Sequence, residues 1–92
     1  MTEASATLHL VFSPAGLAAC QAQLATGDAI VLLEDGVSAR AACKPLAGTR
    51  CRALGPDLSA RGLSVEHDTV HSIDHGALVS LCIAFARSSS WR

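Results

Sequence analysis

Aromatic side chains are scarce in this chain: two phenylalanines, one tryptophan and no tyrosine among 92 residues. Half of the residues are hydrophobic by type, yet 17 of them are alanine. Alanine brings little area to a core, and burial stabilises at roughly 25 cal/mol per Å². A chain of this length forms one domain, expected over residues 1–92, and small domains bury a modest share of their surface. The interior should therefore be thin, with alanine and leucine surface left for another subunit to cover.

Basic runs are missing as well. The formal net charge is −1, and the seven lysines and arginines are scattered, which excludes direct, phosphate-driven binding to nucleic acid. Neither Gly-x-Gly-x-x-Gly nor Gly-x-x-x-x-Gly-Lys occurs, so no nucleotide cofactor is expected. Apolar runs such as residues 29–33 are far too short to span a bilayer. Residues 1–5 include an acid and no basic cluster, unlike a signal peptide. A soluble, cytoplasmic protein with no membrane contact is expected. The four cysteines, Cys20, Cys43, Cys51 and Cys82, contain no Cys-x-x-Cys pair. Neither a zinc knuckle nor a thioredoxin-type dithiol is indicated, and an unexported chain should keep all four reduced.

What is present is an alternation of strands and helices. Residues 7–12 read as a strand, and Ser13-Pro14 supplies an N-cap and a first-turn proline. Leu17, Cys20 and Leu24 mark one face of the helix that follows, which Gly27 should end as a C′ glycine. Residues 29–34 form an apolar strand without alternation, as expected where both faces are covered in a parallel sheet. Asp35-Gly36 turns the chain, and residues 37–43 suit a short helix closed by Lys44-Pro45, with a polar loop on to Gly48. Residues 49–54 alternate, with Arg50 and Arg52 opposite Cys51 and Ala53, which gives a strand with one partly exposed face. Gly55-Pro56 opens a short helix that Gly62 stops. A fourth strand lies within residues 65–73. Asp74 caps a last helix over residues 75–87, with Leu78, Leu81, Cys82 and Phe85 on one face, and residues 88–92 form an edge strand or tail. The pattern predicts an α/β fold: a small three-layer domain with a mainly parallel sheet of four to five strands and right-handed crossovers.

Ligand sites of such sheets lie at the carboxyl ends of the strands, here Ser13, Asp35-Gly36 and Gly55-Pro56-Asp57. Gly-Pro-Asp can offer N–H groups to an anion, or simply make the turn and place Asp57 at the positive helix end. By local charge alone, Cys43, beside Lys44 and near Arg40, has the most readily ionised thiol, although it can equally be incidental surface. Cys51 and Cys82 fall on faces expected to be buried. His67, His71 and His75 recur every four residues, but no helical apolar face accompanies them, and along a strand they would spread over about 26 Å. No metal site is expected. His9, in the first strand, reads as a satisfied, partly buried imidazole. Trp91 stands in a tail too short to bury it deeply.

Three pieces in order, Ala29-Ile30-Val31-Leu32-Leu33-Glu34-Asp35-Gly36-Val37, Ala53-Leu54-Gly55-Pro56-Asp57-Leu58-Ser59-Ala60-Arg61-Gly62-Leu63 and the near-terminal Trp91, resemble the DsrH/TusB family, small sulfur-relay subunits with a DsrE-like fold. The resemblance spans about residues 8–91. It implies a non-catalytic or auxiliary subunit joined to two paralogous DsrE/DsrF-like (TusD/TusC-like) subunits in a heterohexamer. The sulfur-transfer cysteine would lie on one of those paralogues, and a downstream protein would accept the sulfur. The pathway would be 2-thiolation of the tRNA wobble uridine or dissimilatory sulfur oxidation. Sulfur-oxidising members place a cysteine where this chain has Cys20, which makes Cys20 the candidate sulfur acceptor, against a purely packed thiol on the Leu17/Leu24 face. Asp35, Gly36, Asp57 and Trp91 are the candidate partner-binding residues. The resemblance implies no cofactor. Helix one seen in the sequence is about a turn shorter than in the family, and the stretch between Val37 and Thr49 is short. Two rivals remain: a free-standing persulfide carrier using Cys20, and a homo-oligomeric binding module unrelated to sulfur.

Overall fold

The computed structural model describes residues 6–44, 51–65 and 70–92. The expectations for the N-terminal residues, the polar loop to Gly48 and His67 lie outside these. Five strands form one parallel sheet in the order β4-β3-β2-β1-β5, with β1 Thr7–Val11, β2 Ala29–Leu32, β3 Cys51–Leu54, β4 Val70–Ile73 and β5 Arg87–Trp91. All four residues of β2 are buried, because a central parallel strand has both faces covered. In β3 the expected alternation appears as buried Cys51 and Ala53 around half-buried Arg52. The tail is the edge strand β5, which pairs parallel to β1 with Trp91 opposite Val11.

Right-handed crossovers sort the helices by the direction of travel across the sheet. From β1 to β4 the chain steps toward one edge, and α1 (Pro14–Gln21), a 3-10 helix (Glu34–Ala42) and α2 (Gly55–Ala60) follow on the way. They pack with Val11, Ile30, Leu32, Cys51, Ala53 and Val70 into one buried cluster. From β4 the chain returns to the far edge through α3 (His75–Ala84). On that side a smaller cluster holds Leu8, Ala29, Val31, Leu33 and Leu54, against which Leu78, Leu81 and Phe85 pack half-buried.

Local signals explain most boundaries. Ser13 Oγ accepts the Gly16 N–H at 3.0 Å and Asp74 Oδ1 accepts the Ala77 N–H at 2.8 Å, each satisfying an orphan donor of a first helical turn. Gly62, at φ 66°, ends the α2 segment. Several boundaries differ from expectation: β2 stops at Leu32 rather than at residue 34, and α3 ends at Ala84 with β5 already under way at Arg87, rather than the helix running to residue 87. Helix α1 stops at Gln21 with Ala22 as its cap, and Gly27, at φ 91°, serves the later turn into β2. The segment after β2 starts at Glu34 and is 3-10 rather than α-helical. Its start is set by Gly36, whose Cα lies so close to the Val11 carbonyl that any side chain would collide with it.

Candidate functional site

Parallel strands bring the four candidate partner-binding residues to one end of the sheet. Asp35 and Gly36 follow β2, Asp57 follows β3, and Trp91 ends β5. Three of them hold the fold together there. Asp57 Oδ2 accepts the Glu34 N–H at 2.7 Å, Asp35 Oδ1 pairs with Arg61 Nη2 at 2.9 Å, and Gly36 is buried. The Asp35 side chain, 76% exposed, is the part of this rim most open to a partner.

The chain reverses direction across the sheet between β1 and β5, where open α/β sheets keep their ligand crevice. Here Trp91 occupies it. The Trp91 carbonyl accepts the Phe12 N–H at 2.8 Å, and a β-carbon on Gly16 would fall 2.6 Å from the same oxygen. Trp91 is thus tied to its own domain more firmly than a loose tail. Its indole Nε1–H donates to His9 Nδ1 at 3.0 Å. Because an indole N–H can only donate, His9 Nδ1 is the acceptor and Nε2 carries the proton given to Asp28 Oδ2, 2.8 Å away. Asp28 also accepts the Thr7 N–H at 2.8 Å and the Ala25 N–H at 3.1 Å. Burial alone would raise the carboxyl's pKa, but the hydrogen bonds from His9, Thr7 and Ala25 outweigh it and hold the group below its ordinary value. His9 is the satisfied imidazole the sequence suggested. Asp28, its partner, was missed; the clue was that a histidine in an apolar strand needs a buried polar partner.

Cys20, the candidate sulfur acceptor, is completely buried. Burial and the negative charge of Asp28 push its thiol pKa up from 9.0 to about 11. At neutral pH it is a protonated thiol, whereas sulfur transfer requires a reachable thiolate. These surroundings are those of a packed thiol. Two expectations about the other cysteines need correction. Cys43 and Cys51 form a disulfide across eight positions, and Cys43 is only 3% exposed. Sequence spacing and compartment say nothing about proximity in space, and here the 3-10 helix returns Cys43 to the start of β3. Conversely Cys82 is a free, exposed thiol: α3 packs through Leu78, Leu81 and Phe85, and Cys82 falls off that line.

Among the described residues no three His, Cys, Asp or Glu side chains are grouped to hold a metal ion. His71 is exposed on β4 and His75 is exposed at the start of α3. Nor is any described helix long and apolar enough to cross a membrane. An open hollow of about 350 Å³ lies between α2 and β4, bounded by Leu58, Leu63 and Val65 and by Ser59, Ser64 and Ser72.

The remaining feature is α3. Its ten residues, His75-Gly-Ala-Leu-Val-Ser-Leu-Cys-Ile-Ala84, carry no Asp, Glu, Lys or Arg, and none is buried. Val79 is 56% and Ile83 is 79% exposed. Residues 11–88 match the DsrH family, described as DsrH like protein. The chain belongs to the DsrH family. That membership makes it a sulfur-relay subunit in the general sense, with the compact parallel α/β architecture described above. No curated protein matches the chain. In this DsrH-family fold, then, the thiols facing the first core are sealed or cross-linked, while the one accessible thiol sits on an uncharged, uncovered helix.

Proposed function

We propose that this protein is an assembly subunit of a cytoplasmic sulfur relay of the DsrEFH/TusBCD type, joined to two paralogous DsrE/DsrF-like (TusD/TusC-like) subunits in a heterohexamer. The observation that carries the reading is α3: an uncharged helix with no buried residue and with Val79 and Ile83 open to solvent. Large exposed apolar side chains on a small domain mark surface that a partner covers. A homologous subunit, itself an α/β layer with apolar helix faces, suits an uncharged helix. The Asp35 rim is the second contact.

The sulfur-carrying thiolate then belongs to a paralogue, and this chain contributes docking. Cys20, packed and protonated, accepts sulfur only if its helix opens. The presence of a cysteine at this position favours the sulfur-oxidation branch over tRNA 2-thiolation, because sulfur-oxidising members carry a cysteine there. A downstream protein takes the sulfur, and the chain itself touches neither nucleic acid nor membrane.

Co-purification from native cells tests the reading: recovery of two paralogous subunits in equal amounts supports it. A chain that elutes alone, or only with copies of itself, refutes it in favour of a homo-oligomeric module. Incubation with a cysteine desulfurase and cysteine tests the persulfide-carrier alternative. A gain of about 32 Da, one sulfur atom, that Cys20→Ser abolishes would make this chain a carrier.

A further inference from the structure

The 3-10 helix Glu34–Ala42 is nine residues long, although such helices rarely exceed three or four residues because their hydrogen bonds are poorly aligned. Its geometry is imposed from outside. At its start the Glu34 N–H is held by the Asp57 carboxylate at 2.7 Å and Asp35 by Arg61 at 2.9 Å, with Glu34 itself in the left-handed region at φ 51°. In its last turn Arg40 Nε donates to the Ser64 carbonyl at 2.6 Å. At its end the Cys43–Cys51 disulfide ties it to β3, and the neighbouring Lys44 N–H donates to Gln21 Oε1 at 2.6 Å. Of these restraints the disulfide alone can be made and broken by redox chemistry. The two halves also differ in setting. Cys51 lies inside the sheet, in register with Ile30 and Val70, whereas Cys43 sits in extended backbone just after the helix.

We propose that Cys43 and Cys51 form a reversible thiol–disulfide switch that locks the 3-10 helix, and with it the Asp35 rim, against the sheet when oxidised and releases it when reduced. The reductant is a low-molecular-weight monothiol of the glutathione class. Its thiolate attacks one sulfur of the pair, forming a mixed disulfide and expelling the other cysteine as a thiolate. A second thiolate displaces the first as the symmetrical disulfide, and both cysteine thiolates take protons from water. The sum is one protein disulfide and two thiols giving two protein thiols and one small disulfide, a two-electron exchange. Cys43 is 3% and Cys51 0% exposed, so attack follows a local opening at the helix end rather than occurring on the closed surface. The switch needs no partner subunit, and its test is independent of whether the assembly reading holds.

The full chain is equilibrated in glutathione buffers of graded oxidised-to-reduced ratio, alkylated and weighed intact, with amide hydrogen exchange followed in parallel. The expected result is a single transition that adds two alkyl groups, mapped to Cys43 and Cys51. Over the same range, exchange should quicken about tenfold or more in Glu34–Ala42 with β1 and β2 unchanged. The double variant Cys43→Ser/Cys51→Ser should show the quickened pattern in every buffer. Should that variant not fold, Cys82→Ser keeps the pair, removes the exposed thiol and carries the same titration. A pair that stays oxidised until the whole chain unfolds, one that never oxidises, or one that is reduced without any change in 3-10 helix exchange would each overturn the proposal.

Discussion

The two faces of the sheet are built to different standards. On the face of α1, the 3-10 helix and α2, eleven buried residues form one cluster, the carboxylates of Asp57 and Asp35 pin the 3-10 helix at its start, and a disulfide ties its end to β3. On the other face α3, the one helix there among the described residues, lies over five buried residues and contributes only half-buried side chains of its own. More of the fully buried residues lie in the first layer, eleven against five, whereas both phenylalanines pack only half-buried against the second. The first face therefore supplies most of the stability, and the second presents surface.

The largest expected effect separates the faces directly. Leu32→Ala, at a fully buried position in the first cluster, should cost about 3–4 kcal/mol, and Leu81→Ala, half-buried on the inner side of α3, about 1 kcal/mol. Denaturant midpoints of the two variants check this, and equal losses would erase the contrast between the faces. Next comes alkaline pH. Cys20 is raised in the folded state to about 11 from 9.0, so the unfolded chain releases its proton first. The stability this thiol contributes is whole below pH 9 and is lost as pH rises toward 11, amounting to about 2 kcal/mol. Cys20→Ala should be less stable at neutral pH and should lack this part of the alkaline decline in urea titrations. A smaller effect runs the other way. Glu34→Gly relieves a left-handed residue while keeping the backbone N–H bonded to Asp57, and should raise stability by up to about 1 kcal/mol, read as an upward shift of the thermal midpoint.

Much of this is legible in the sequence alone. The continuous apolar run of β2 announced a central parallel strand, Ser13-Pro14 and Asp74 announced helix starts, and the alternation around Arg52 announced a half-exposed strand. Each rests on near neighbours in sequence. What stayed hidden depends on distant ones. The Cys43–Cys51 bond follows from how far the 3-10 helix turns, and the Trp91–His9–Asp28 chain joins β1 to both the start of β2 and the last strand. Helical periodicity put Cys20 on the packed Leu17/Leu24 face, but it could not report that burial and the Asp28 charge together raise the thiol's pKa. Cys82 was misjudged because four helical positions qualified for a face that only three of the four occupy. The four candidate residues share one end of the sheet, but the jobs of Asp57 and Gly36 there, holding Glu34 and admitting the Val11 carbonyl, can be read only from the packing.

The claim that α3 is docking surface meets its most direct test in the double variant Val79→Ser/Ile83→Ser, co-expressed with the two paralogous subunits and compared with the unaltered chain by native mass spectrometry. The isolated variant should keep its thermal midpoint, with a stability change within about 0.5 kcal/mol, while its share in the heteromeric complex falls about tenfold or more. A variant that unfolds, or one that assembles as fully as the unaltered chain, would contradict the account.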